Sequence, residues 1–162
     1  MKTPRQLVEE CRRAWAGPCW HGPSLRAALA GVRAPAAFAN PLPGAHSIAE
    51  LVGHLIVWNE VVRRRLEGKV MVVAKEKNFP LPAEQTEDSW GGVLKALKAN
   101  QAELASRMER LKPADLRRQV PGHRYTVEFM LEGVAHHALY HAGQISMLKR
   151  ARQRLAIDPQ TS

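Results

Sequence analysis

Four long segments of the chain repeat their apolar residues at steps of three and four, and none alternates as a half-buried strand does. The first covers about residues 4–16, with Leu7, Val8, Cys11, Ala14 and Trp15 on its inward side and Gly17-Pro18 as its stop. A short helical piece over about 24–32 opens at Ser24, a plausible N-cap, and carries Leu25, Ala28, Leu29 and Val32. From Arg33 to His46 the chain reads as a connector, because Pro35, Pro41 and Pro43 do not fit the interior of a continuing helix.

The second long segment has the clearest start. Ser47, with Glu50 three residues on, forms a capping box before an apolar run that reaches about residue 67, where Gly68 stops it. The third covers about 89–111, starting at Asp88 or Ser89, with Trp90, Leu94, Leu97, Gln101, Leu104, Met108 and Leu111 on one face. The fourth covers about 126–152 and presents Met130, Val134, His137, His141, Ile145 and Leu148 as one stripe. Between the second and third lies a long connection containing Asn78-Phe79-Pro80-Leu81-Pro82. The pattern predicts an all-α protein: an antiparallel four-helix bundle with a long crossover between its second and third helices. At 162 residues and 45% hydrophobic content, one domain over 1–162 with a single core is expected.

Two of these stripes hold histidines where hydrophobic residues belong. His54 falls in step with Leu51, Trp58 and Val61, and His137 and His141 stand one turn apart between Val134 and Ile145. Imidazoles at i and i+4 make a bidentate grip on a transition metal, and a third from a facing helix leaves coordination positions open, as reactive metal sites do. The plain alternative is three ordinary core histidines, each bonded to a carbonyl or hydroxyl; one shared metal would satisfy all three together. His136 is rotated by about 100° from His137 and suits an outer or surface role. His21, His46 and His123 occupy loops and are expected to face solvent, His21 as a possible rim residue.

Several chemistries are missing from the sequence. No Glu follows His137, so the general base of zinc peptidases is absent, and the paired Glu-x-x-His pattern of di-iron bundles does not occur. Glu50 is explained by capping. Glu60, Tyr140, Gln144 and Gln101 remain as candidates for proton transfer or for contacts to the ligands. Gly133 and Gly143, together with Ala138 and Ala142, suggest close helix approach or room near the metal.

The formal charge is +9, but its cations are scattered among Arg12-Arg13, Arg63-Arg64-Arg65, Lys95/Lys98, Arg117-Arg118 and the last helix. No zinc-finger, RNP or basic-zipper pattern accompanies them, so specific nucleic-acid binding is not expected, and an acidic small substrate suits the charge better. No run of about 20 uncharged apolar residues marks a membrane span and no apolar leader opens the chain, so a cytoplasmic location is expected. Cys11 and Cys19 are too few for a disulfide framework and are expected to be reduced.

The stretch His46-Ser47-Ile48-Ala49-Glu50-Leu51-Val52-Gly53-His54, taken with His137-Ala138-Leu139-Tyr140-His141-Ala142-Gly143-Gln144-Ile145, resembles the DinB-like superfamily of metal-binding four-helix bundles, which includes YfiT-type metal hydrolases. The likeness spans nearly the whole chain. It implies a divalent ion, most often nickel or zinc, held by His54, His137 and His141. It also implies a homodimer and, in some members, transfer chemistry with a low-molecular-weight thiol. Where such proteins often carry Asp after the first histidine of the pair, this chain has Ala138.

Three functions follow as expectations. The first is a metal-dependent enzyme acting on a small-molecule substrate, either a hydrolase or a thiol-dependent S-transferase. For hydrolysis Glu60 is the base candidate; for thiol transfer the positive charge would favour an acidic thiol. The second is a non-catalytic metal-binding or interaction bundle, for which Trp20 or Trp90 on a dimer surface would speak. The third is a basic nucleic-acid binder, betrayed by steep salt dependence.

Overall fold

In the computed structural model, which describes residues 2–157, every extended regular element is helical. The ends of the domain expected over 1–162 lie outside the described residues. Helix α1 (Pro4–Ala16) opens with a capping box between Thr3 and Gln6 and with Pro4 in its first turn, where a missing N–H costs nothing. Two short helices follow, α2 (Leu25–Leu29), capped by the Ser24 hydroxyl, and α3 (Ala34–Ala37). The connector expected from Arg33 to His46 is therefore partly helical. Pro35 sits in the first turn of α3, where proline is tolerated.

The capping box of Ser47 and Glu50 opens α4 (Ile48–Leu66), and Glu67 closes it ahead of Gly68. Helix α5 (Glu87–Glu109) begins earlier than the apolar pattern indicates, because the cap is Thr86, with Ser89 returning the reciprocal bond. Helix α6 (Val127–Ile157) runs past residue 152 as one element of 31 residues.

The four long helices form the bundle: α1 and α4 each pack against both α5 and α6, and so lie across a diagonal from one another. Arg12 meets Glu109 near the last turn of α5, while Trp15 and Leu97 line one pocket, so α1 and α5 run antiparallel. Arg63 near the end of α4 lies 3.8 Å from Glu103 in the second half of α5, so these two run parallel, as a long crossover requires. Leu7, Cys11, Ile48, Val52, Leu104, Met108, Leu131 and Ile145 fill the centre and are essentially inaccessible. No described helix is long and apolar enough to cross a membrane.

The crossover, residues 67–86, positions the site. It returns along the outside of α4 from C-terminal to N-terminal end. Met71 O accepts from Arg65 Nη2 at 3.0 Å, Asn78 Oδ1 accepts from Trp58 Nε1 at 2.9 Å, and Pro80 lies on Gly53. A Cβ at position 53 would overlap the Pro80 carbonyl oxygen, so only glycine lets the crossover come this close.

Candidate metal centre

His54 in the second turn of α4 and His137 and His141 in the middle of α6 bring their Nε2 atoms to one point. The His137 Nε2 lies 3.0 Å from that of His54 and 2.8 Å from that of His141. His54 and His141 are buried, at 8% and 5% exposure, and His137 is half-buried. Among the described residues, this is the one group of three or more His, Cys, Asp or Glu whose donor atoms converge this way.

The hydrogen bonds around the rings settle which nitrogens carry protons. His54 Nδ1 lies 3.0 Å from the main-chain oxygen of Asn78, an obligate acceptor, so Nδ1 donates and Nε2 keeps its lone pair. His141 Nδ1 lies 2.6 Å from Gln144 Oε1, and the Gln144 amide nitrogen donates at 3.3 Å to the Tyr140 hydroxyl. With Gln144 Oε1 as the acceptor, the proton is on Nδ1 and the His141 Nε2 keeps its lone pair. His137 Nε2 faces both, and one proton there satisfies only one neighbour. A cation at the common point satisfies all three lone pairs. Two nitrogens about 2.0–2.1 Å from one ion are about 2.9 Å apart at a 90° angle and about 3.3 Å apart at a tetrahedral one, and the three donor atoms here lie within 4.8 Å of one another. The residues thus suit a divalent metal by donor type, tautomer and spacing.

Burial and mutual repulsion keep the rings neutral. Desolvation, then the neighbouring His141 and His54, push the His137 pKa from 6.5 down to about 4. His141 is pushed down to about 4 by desolvation foremost, against the bond to Gln144 that favours the cation. His54 is lowered by desolvation, with Asn78 opposing. Neutral imidazoles are the ligand form.

Aromatic rings close the outer side of the cluster. Phe79 is sandwiched between His54, at 4.3 Å between centroids and 8° between planes, and His46, at 3.6 Å and 13°. His46 is exposed, as expected, and is also half of this stack, contacting the capping Glu50 at 3.1 Å. The sequence reading missed Asn78, Phe79 and Gly53; the Asn-Phe-Pro-Leu-Pro run inside an over-long connection was the available signal.

A cavity of about 430 Å³ opens beside His54 and His137, lined by Trp58, Val62, Arg65, Tyr125, Phe129 and Val134 among others. No Asp or Glu lines it. Glu60 lies on another face of α4, where Arg63 and Arg64 bond to it at 2.6–2.8 Å. Burial raises its pKa, but the two arginines outweigh that and hold it below the usual carboxylate value. Tyr140 and Gln144 adjoin the cluster through His141.

Other expectations are corrected by placement. Gln101 lines a separate pocket with Trp15 and Leu97, away from the histidines. His21 lies in a different groove and does not rim the site, while His136, in that same groove, is exposed as expected. Trp90 is buried, with its Nε1 donating to Val32 O, and presents no surface. A Cβ at Gly133 or Gly143 would meet nothing within 4 Å, so of the two readings close helix approach fails and room remains, with Gly133 lining the cavity beside His137. Ala138 is packed in the core, and the polar contact to His141 comes from Gln144 instead.

Comparison with curated proteins and with solved structures gives no match. A family model described as the DinB superfamily matches residues 20–145, which includes all three histidines and the crossover. With most of the chain covered by that match and the four long helices packed together, the protein belongs to the DinB superfamily.

Proposed function

We propose that the protein is a metal-dependent enzyme that holds one divalent ion, nickel or zinc, on the Nε2 atoms of His54, His137 and His141, and that its reaction is a thiol-dependent S-transfer on a small molecule. The observation that carries the metal is the convergence of lone pairs that protons alone cannot satisfy. When bound, such an ion supplies Lewis acidity and lowers the pKa of a coordinated water or thiol.

The lining of the cavity favours a thiol over water. Hydrolysis calls for a base to take a proton from water, and the cavity holds no carboxylate, with Glu60 engaged by two arginines. A thiol, with a pKa near 8.5 when free, needs far less help to react as its anion. The chain's own groups then act as holders. Asn78 and Gln144 set the imidazoles of His54 and His141, the Tyr140 hydroxyl anchors the Gln144 amide, and the Phe79 ring stacks on His54.

Metal content of the purified protein, with His137→Ala/His141→Ala as control, tests the first half: about one equivalent, lost in the variant, is expected. Turnover tests the second. Cysteine, glutathione and coenzyme A would be offered with monochlorobimane, where the thiolate forms a C–S bond and chloride leaves. Thiol-dependent fluorescence that needs the histidines supports the transferase; hydrolysis of p-nitrophenyl acetate without thiol would favour the hydrolase, and metal without either activity the non-catalytic bundle. A homodimer belongs to the same reading. Tyr140 and Met147, seven residues apart on one face of α6, are each more than 60% exposed. Light scattering should give twice the monomer mass for the native protein and the monomer mass for Met147→Asp.

A further inference from the structure

The same cavity contains a buried cation that the metal reading does not use. Arg65 is 8% exposed. Its Nη1 donates to the Tyr125 hydroxyl and its Nη2 to Met71 O, both at 3.0 Å, while Nε is buried without a partner. Among the described residues no carboxylate forms an ion pair with it, although its neighbours Arg63 and Arg64, on the outer face, share Glu60 and Glu67. Trp58, whose ring centroid is 5.8 Å from the guanidinium carbon, offsets part of the charge. An unpaired guanidinium at this depth is costly unless an anion joins it.

Position gives the anion its chemistry. Arg65 follows His54 by eleven residues on α4, close to three full turns, so both stand on one helix face about 16 Å apart along the axis. Trp58, Val62, Phe129 and Val134 lie in the cavity between them. Two contacts leave the Nε–H and further Nη protons of Arg65 free, and a side-on pair of such donors matches the two oxygens of a carboxylate.

We propose that Arg65 is the anion-recognition residue of this cavity and that the substrate is an elongated organic acid. Its carboxylate lies on Arg65, its apolar body lies against Trp58 and Phe129, and its reacting end faces the histidine cluster. The last clause alone rests on the metal-centre reading.

The test is calorimetric titration of zinc-loaded protein with 4-phenylbutyrate and its neutral match 4-phenylbutanamide. Charge-assisted bonds of this kind make the carboxylate bind about 10-fold to 100-fold more tightly. Arg65→Gln should bring the two probes within about 2-fold while metal content stays at one equivalent. Equal affinities in the native protein, or no binding of the carboxylate at millimolar concentration, overturn the proposal and leave the metal content unaffected. A preference that survives Arg65→Gln assigns the anion to the metal and overturns it too. Should that variant not fold, Gly133→Leu fills the cavity mouth with Arg65 intact, since a Cβ there meets nothing within 4 Å. It should weaken both probes, and unchanged binding refutes the assignment. A native protein without metal that still prefers the carboxylate upholds Arg65 and defeats the metal-centre reading alone.

Discussion

His54 donates its Nδ1 proton to the main-chain carbonyl of Asn78, 24 residues downstream, at 3.0 Å. The bond turns the tautomer of a ring on α4 into a property of the crossover's path. It does not depend on which side chain occupies position 78; the Asn78 side chain serves a different purpose, holding Trp58. Whatever shifts the crossover off α4 therefore releases the ligand.

Gly53→Ala is the direct way to shift it. Alanine is preferred to glycine inside helices by about 1 kcal/mol, so on an isolated helix the change would stabilise. Here the new methyl meets the Pro80 carbonyl, and the variant is expected to be destabilised and to bind metal about 10-fold to 100-fold more weakly. Thermal melting and chelator competition measure both. A variant as stable and as tight as the native protein would show that the crossover does not rest on α4.

Gln144→Ala removes the acceptor that holds His141, without leaving an overlap or a core cavity, since Gln144 is only half-buried. Metal affinity should fall about 10-fold to 100-fold while the melting temperature of the metal-free protein barely moves. An unchanged dissociation constant would mean that His141 needs no orienting partner.

The pH dependence of the metal-free protein follows from the depressed pKa values. Between pH 6.5 and about 4 the unfolded chain binds protons at His137 and His141 that the folded chain does not. Stability is therefore fully retained above pH 6.5, falls as pH drops through this window, and levels off below about 4 as far as these two groups are concerned. Denaturant melts at several pH values should show a slope that His137→Ala/His141→Ala reduces. Equal slopes would place those pKa values at their ordinary position.

Gly143→Ala offers a contrast on the same helix as the ligands. A Cβ there meets nothing, so only the helix preference remains, and the variant should gain about 0.5–1 kcal/mol in a denaturant titration. A loss would reveal a neighbour pressing on that face.

These positions show where local pattern was enough. His54, His137 and His141 were legible because each occupies an apolar stripe whose phase is set by 3.6 residues per turn, and Ser47 and Glu50 announced their helix by chemistry confined to four residues. Helix α5 starts at Glu87, ahead of the expected Asp88 or Ser89, because Thr86 and Ser89 form its capping box. Gly133 and Gly143 are unencumbered, which fits the expected room near the metal and not close helix approach, whereas Gly53 has the Pro80 carbonyl against it.

By itself the sequence determined the helices, their buried faces and the three imidazoles turned inward, because helical phase is a local property of the chain. Only the tertiary structure decided that Asn78 and Phe79 hold His54 and that Arg65 ends in a cavity without a carboxylate. Those facts depend on where a crossover of about 20 residues lies and on what α6 sets against α4, whereas which of the three consecutive arginines faces inward follows from helical phase. Contacts between segments far apart in the chain arise from packing, which leaves no periodic trace in either segment alone.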